Sequence, residues 1–206
     1  MNVGQLITIS GLDGAGNSTQ LQRLRRQLEA QGYRCASYCF NVQSYRPTAR
    51  QTIDQLLVAN VACLFTQHSV DWSEHYPLVY DFIYDEEFQT PDLAWAVSLV
   101  FANASVQVTN SCRQPLLDAD VYIICDRYWY DEVIYRSCWV DPMLIRQIIY
   151  QPPTSQLALL LDVTLEVTWQ RNQTRRDGVS PLLQISRRSP NSGAAFWSLR
   201  RVSSFI

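Results

Sequence analysis

"QLITISGLDGAGNSTQ" (5–20) runs from a short β-branched apolar stretch through a glycine-rich turn into residues with helical spacing. β-branched runs bounded by turn signals favour strands, so 5–10 is predicted as a first strand. Gly11 to Gly16 turn the chain, and 18–31 reads as a helix with Leu21, Leu24 and Leu28 on one face and Gly32 at its end. That order of elements makes an anion site for a physical reason. The helix start presents unpaired N–H groups and a partial positive charge, and glycines let the backbone wrap a phosphate in a nest of amides. Gly11, Asp13, Gly14, Ala15, Gly16, Asn17, Ser18 and Thr19 are therefore the candidate nucleotide-binding residues, with the Ser18 hydroxyl offered to Mg²⁺. The stretch follows the phosphate-loop pattern G-x-x-x-x-G-K-[ST] except at Asn17, which stands where the pattern has lysine. The alternative is a plain strand-to-helix turn.

Outward from this loop, strands and helices alternate. Strands are predicted at 33–40, 119–127 and 157–163, the last fully buried because its apolar run is continuous. Helices are predicted at 47–62, with Ile53, Leu56, Leu57 and Val61 as a buried stripe, at 93–114 ending before Pro115, and at 129–137 and 142–150. Another follows at 164–176, then a loop at 177–193 and a short helix at 194–204. The pattern predicts an α/β fold of the P-loop NTPase type, three layers with a parallel sheet flanked by helices. Its 206 residues suit a single domain, with an acidic, aromatic insert at about 66–92 and a lid at about 171–193. The insert reads either as a partner-binding or lid element or as a solvated helical hairpin.

Composition narrows the classes. The formal charge of −2 disfavours broad nucleic-acid binding, which needs a basic excess. No apolar run approaches the roughly 20 residues that cross a bilayer. Six cysteines form no C-x-x-C pair, His68 and His75 make no ligand pattern with them, and "MNVGQLITIS" is no secretory leader. Reduced, mostly packed thiols and a cytoplasmic location are expected. All 17 cationic residues counted as Lys+Arg are arginine. A biased genome or an engineered sequence accounts for that, as does selection against a reactive amine.

Three blocks resemble the thymidylate kinase family. "GLDGAGNSTQLQRLRRQLEAQG" (11–32) is similar to its opening loop and helix, "VYIICDRYWYDEVIYR" (121–136) to its strand ending in D-R-Y, and "LLLDVTLEVTWQRNQTRRDG" (159–178) to its last core strand and arginine-bearing lid. "SLVFANAS" (98–105) lines up with the family's L-F-x-A-x-R. The resemblance covers roughly 1–57 and 93–178. It implies an ATP-dependent kinase acting on dTMP or a related pyrimidine nucleoside monophosphate, with Mg²⁺ and, as the family is commonly dimeric, a homodimer. By the same resemblance, Asp13 would bond the acceptor's sugar hydroxyl, Phe101 would stack on its base and Arg127 would grip its phosphate. Asp126 would hold Mg²⁺ through water, Arg46 in "YRPT" would meet the acceptor, and Arg171, Arg175 and Arg176 would reach over the donor phosphates. The residues themselves also allow a structural ion pair at Asp126–Arg127, core packing at Phe101 and a solvated basic helix end at Arg175–Arg176.

Two departures remove positive charge: Asn17 for the loop lysine, and Ser105 where the family has arginine. Losing one preorganised donor of this kind costs about 10²–10³ in rate. The family also continues past Phe196 to a further strand and helix, so an edge strand is expected to be lacking or supplied by a partner. Three readings follow: an impaired nucleoside monophosphate kinase, a nucleotide-binding pseudokinase with a regulatory or scaffolding role, and a related phosphotransferase with another acceptor such as a nucleoside.

Overall fold

The computed structural model describes residues 4–39, 47–67, 85–149 and 152–174. Its order is β1 (Leu6–Gly11), α1 (Asn17–Ala30), β2 (Cys35–Cys39), α2 (Pro47–Val58), β3 (Cys63–Gln67), α3 (Pro91–Val108), α4 (Gln114–Asp118), β4 (Tyr122–Asp126), α5 (Trp129–Arg136), α6 (Pro142–Ile148), β5 (Leu157–Leu161) and α7 (Leu165–Gln173). The five strands form one parallel sheet in the order β2-β3-β4-β1-β5.

Alternation along the strands sends side chains to both faces. Leu6, Leu64, Ile123 and Cys125 pack with Ile53, Val108 and Leu116 on one face. Ile9, Phe65 and Ile124 pack on the other with Leu21, against which Leu24 and Leu28 also lie. Helices thus cover both faces, giving the expected three layers. A further cluster around Ala94, Val97, Phe101 and Ile145 ties α3 to α5 and α6. β1 pairs with β4 on one side and β5 on the other, with Ile9 level with Asp126. The crossover from β1 runs toward the β2 edge and that from β4 toward the β5 edge. Ligand crevices in open α/β sheets form at the carboxyl ends of strands at such a switch point. Among the described residues, no helix is long and apolar enough to cross a membrane.

Four expectations need correction. The helix predicted over 47–62 stops at Val58, because Asn60 takes a left-handed turn (φ 52°); Leu57, assigned to its buried stripe, is exposed. Behind it lies β3, a strand the sequence reading did not assign. The helix predicted to stop before Pro115 runs on. Pro115 has no N–H to donate and its ring crowds the preceding turn, so the chain widens into a π-turn over Thr109–Arg113, closed by Gln114 N–H on Thr109 O, before α4 begins with the proline in its first turn. The third correction is β5. It lies at the sheet edge, and Leu157, Leu159 and Leu160 are 47%, 42% and 40% exposed. A continuous apolar run marks a strand without saying whether both faces are covered. Finally, α3 starts at Pro91, inside the span predicted for the acidic insert, and Thr90 caps it by accepting from Leu93 N–H. The rest of that insert from 68 to 84 lies outside the described residues, as do 175–193 of the predicted lid and the predicted helix at 194–204.

Candidate active site

β1 ends at Gly11, and the loop returns the chain to the start of α1. Gly14 and Gly16 both have positive φ, 89° and 109°, which L side chains rarely adopt. The Ala15 N–H donates to Leu12 O at 2.8 Å, closing the tight part of the turn. Gln20 N–H bonds Gly16 O at 3.0 Å as the first rung of α1, so the first-turn N–H groups of Asn17, Ser18 and Thr19 precede the helical ladder. Asn17 is 5% exposed, and neither atom of its amide has a hydrogen-bond partner among the described residues. Its Oδ1 lies 2.9 Å from where a Cβ on Gly11 would stand, so the side chain curls back over the turn. A buried amide without a partner is costly, and its Nδ2 remains a donor that an added acceptor could satisfy.

Asp126, at the carboxyl end of β4, accepts a 2.8 Å hydrogen bond from Ser18 Oγ at the start of α1. These are hard oxygen donors beside the glycine-rich turn. Magnesium is commonly held by one or two protein oxygens, water and substrate phosphate, and this pair fits that role. Among the described residues no cluster of three His, Cys, Asp or Glu offers an all-protein cage. A cavity of about 430 Å³ opens beside the pair, walled by Gln22 and Arg25 of α1, Tyr38 of β2, and Phe65 and Thr66 of β3.

Arg127 follows with φ 69°, a conformation that non-glycine residues reach at a cost of about 1–3 kcal/mol. It is held on both sides: its N–H bonds Ile9 O at 2.9 Å, and the next N–H, of Tyr128, bonds Asp131 Oδ2 at 2.9 Å. The result aims the guanidinium at the loop. Nη2 pairs with Asp13, Nη1 donates to Tyr135 Oη at 2.6 Å, and Asp131 Oδ1 lies 3.7 Å away. Burial opposes this charge, but Tyr135, Asp13 and Asp131 outweigh it and hold the arginine pKa above its ordinary value. Asp131 also accepts from Ser10 Oγ at 2.7 Å, yet burial dominates and pushes its pKa up to about 6.

Phe101 sits apart. It is buried in the cluster between α3, α5 and α6, and the Arg136 guanidinium lies 5.1 Å from its ring centroid. Ser105 is buried one turn further along α3. Arg171, at the end of α7, donates through Nη1 to Gly14 O and Ala15 O at 3.1 and 3.2 Å. Thr19 is exposed on α1.

Ser18 and Asp126 thus line one cavity, Asp13 and Arg127 pair with each other, Asn17 folds back over the turn, Arg171 meets the loop carbonyls from α7, and Phe101 belongs to the neighbouring cluster. Arg46, Arg175 and Arg176 lie outside the described residues. Sequence reasoning missed Asp131 and Tyr135, although four- and eight-residue spacing from Arg127 puts both on one side of α5. It also missed Asn172, a polar residue in the last turn of α7 with no local signal.

In sequence the chain is similar to thymidylate kinases. That of Exiguobacterium sibiricum is 26% identical over 178 residues, 84% of this chain and 69% of that protein. That of a Cyanothece species is 27% identical over 177 residues, with the same two coverages. The solved thymidylate kinase of Candida albicans superposes with a TM-score of 0.58 at 19% identity, covering 95% of this chain and 77% of that one, and so shares the fold. No family model matches the chain.

Proposed function

We propose that the protein is a Mg²⁺-dependent, thymidylate-kinase-like nucleoside monophosphate kinase with slow turnover, using ATP and dTMP or a related pyrimidine nucleotide. The observation that carries this reading is the Ser18–Asp126 contact at 2.8 Å beside the glycine turn and the start of α1. A nest of amides with a paired hydroxyl and carboxylate is what a metal–polyphosphate complex needs. Sequence similarity to thymidylate kinases supports the substrate class.

In the reaction an acceptor phosphate oxygen forms a bond to the γ-phosphorus as the bridging bond to the β-phosphate breaks, and ADP leaves. Positioning and charge do most of such work. The loop amides and first-turn N–H groups of α1 hold the donor phosphates, with Asn17 Nδ2 adding one neutral donor. Ser18 and Asp126 would hold magnesium, which would neutralise charge on the transferring group. Arg127 releases Asp13 to take the acceptor's phosphate, and Asp13 then turns to the acceptor sugar. Arg171, Arg175 and Arg176 are assigned to the donor side, and Arg46 and Phe101 to the acceptor. The slow rate follows from Asn17, which supplies a hydrogen bond where a cation would supply charge.

A nucleotide-binding pseudokinase is the second reading. It is favoured by Arg127 and Asp13 pairing with each other and by the Arg136 guanidinium covering the Phe101 ring. ATP-to-dTMP transfer by the unmodified protein, with magnesium and with EDTA, separates the two. Slow, magnesium-dependent dTDP formation is expected; nucleotide binding with no transfer above background would establish the pseudokinase instead.

A further inference from the structure

The end of α7 meets the phosphate loop at three consecutive carbonyl oxygens. Asn172 Nδ2 donates to Asp13 O at 2.6 Å and, one turn back on its own helix, to Thr168 O at 2.8 Å. The neighbouring Arg171 takes Gly14 O at 3.1 Å and Ala15 O at 3.2 Å. Contact is tight: a Cβ on Gly14 would stand 2.4 Å from Asn172 Nδ2 and 2.9 Å from Thr168 O. Asn172 is 1% exposed.

The peptide plane converts this contact into an effect on the opposite side of the loop. In a trans peptide the C=O of one residue and the N–H of the next point in opposite directions. Fixing the carbonyls of Asp13 and Ala15 toward α7 turns the N–H groups of Gly14 and Gly16 away from it. Between them, the Ala15 N–H is held by Leu12 O. The loop is thus set before any anion arrives, and no lysine is present to draw it together around one.

We infer that Asn172 and Arg171 are positioning residues that preset the phosphate loop through its outward carbonyls, so that the placement of α7 sets the affinity for the donor polyphosphate. Neither side chain needs to touch the phosphate to do this. The inference rests on the loop being the polyphosphate site, and its test separates the two ideas.

The variants are Asn172→Leu, which keeps the branched shape of the side chain and removes its N–H donors, Arg171→Met, and Arg171→Lys, which keeps a donor on an exposed side chain. Hydrogen exchange is followed at the amides of 13–18 and, as a fold control, at those of β1 and β4 in the ligand-free protein; Mg-ATP affinity is measured by calorimetry. Asn172→Leu and Arg171→Met should each speed loop exchange by about tenfold, the loss of one good hydrogen bond, with β1 and β4 unchanged and Mg-ATP affinity weakened by a similar factor. Arg171→Lys, whose ammonium still offers a donor to the loop carbonyls, should keep loop exchange within about threefold of the parent. Loop exchange that does not change, or that rises only together with β1 and β4, overturns the inference. Faster loop exchange in a protein that takes up no Mg-ATP would leave the positioning role standing and remove the proposed function.

Discussion

Replacing Asn17 with lysine asks directly what the loop lacks. The position is 5% exposed and its amide has no partner among the described residues, so the change displaces no hydrogen bond within them. A lysine there would carry a charged ammonium several bonds farther past the turn than Asn17 Nδ2 reaches, toward the side where the proposed polyphosphate would lie. One preorganised donor aimed at developing charge is worth about 3–4 kcal/mol, so turnover should rise about 10²–10³-fold in a coupled ADP-release assay with dTMP as acceptor. Binding should move less, because a group that acts mainly on the transition state raises kcat more than it lowers KM. If ground-state affinity gains tenfold, saturating Mg-ATP stabilises the variant by about 1.4 kcal/mol more than the parent, which is roughly 3–6 °C of extra ligand-induced shift in Tm. Turnover of roughly 1–100 s⁻¹ in the unmodified protein, or a gain below about tenfold in the variant, would refute the claim that the missing cation limits the rate.

Two further perturbations test the surroundings. The Asp131 carboxyl, raised to about 6 in the folded protein, keeps a proton that the unfolded chain releases near pH 4. Stability should therefore fall as pH rises through that window by roughly 3 kcal/mol from this group alone. Asp131→Asn should remove that slope in urea melts between pH 4 and 7; parallel curves for the two proteins would contradict the assignment. Gly14→Ala places a methyl against Asn172 and Thr168 O at positive φ. It should cost about 2 kcal/mol or more in denaturant melts and weaken Mg-ATP binding, whereas a neutral outcome would mean that α7 is not seated on the loop.

Much of the frame is legible in the sequence because local spacing dictates it. The Leu21, Leu24 and Leu28 stripe and the β-branched run before Gly11 fix β1 and α1, and "VYIICDR" carries Asp126 to a strand end whatever follows. What was not legible depends on distant contacts. β3 is five residues long and follows a helix without a proline or glycine; its boundary is Asn60, whose left-handed turn replaces the usual glycine. The exposure of β5 depends on its place at the sheet edge, which a run of leucines cannot report. Pro115 reads locally as a stop, but a π-turn accommodates it inside a continuing helical path. At the site, the loop and Asp126 are marked by pattern, whereas Asn172 matters only because folding brings it 159 residues back to Asp13. The stacking role given to Phe101 came from resemblance, and nothing local announced that Arg136 would lie over its ring.

The account depends most on the loop amides seating a polyphosphate without an ammonium group. Isothermal calorimetry of the unmodified protein with ATP and millimolar magnesium, repeated with Ser18→Ala, measures this directly. Saturable uptake that weakens in Ser18→Ala is the predicted result; no heat of binding from the unmodified protein with any adenine or thymine nucleotide would contradict it.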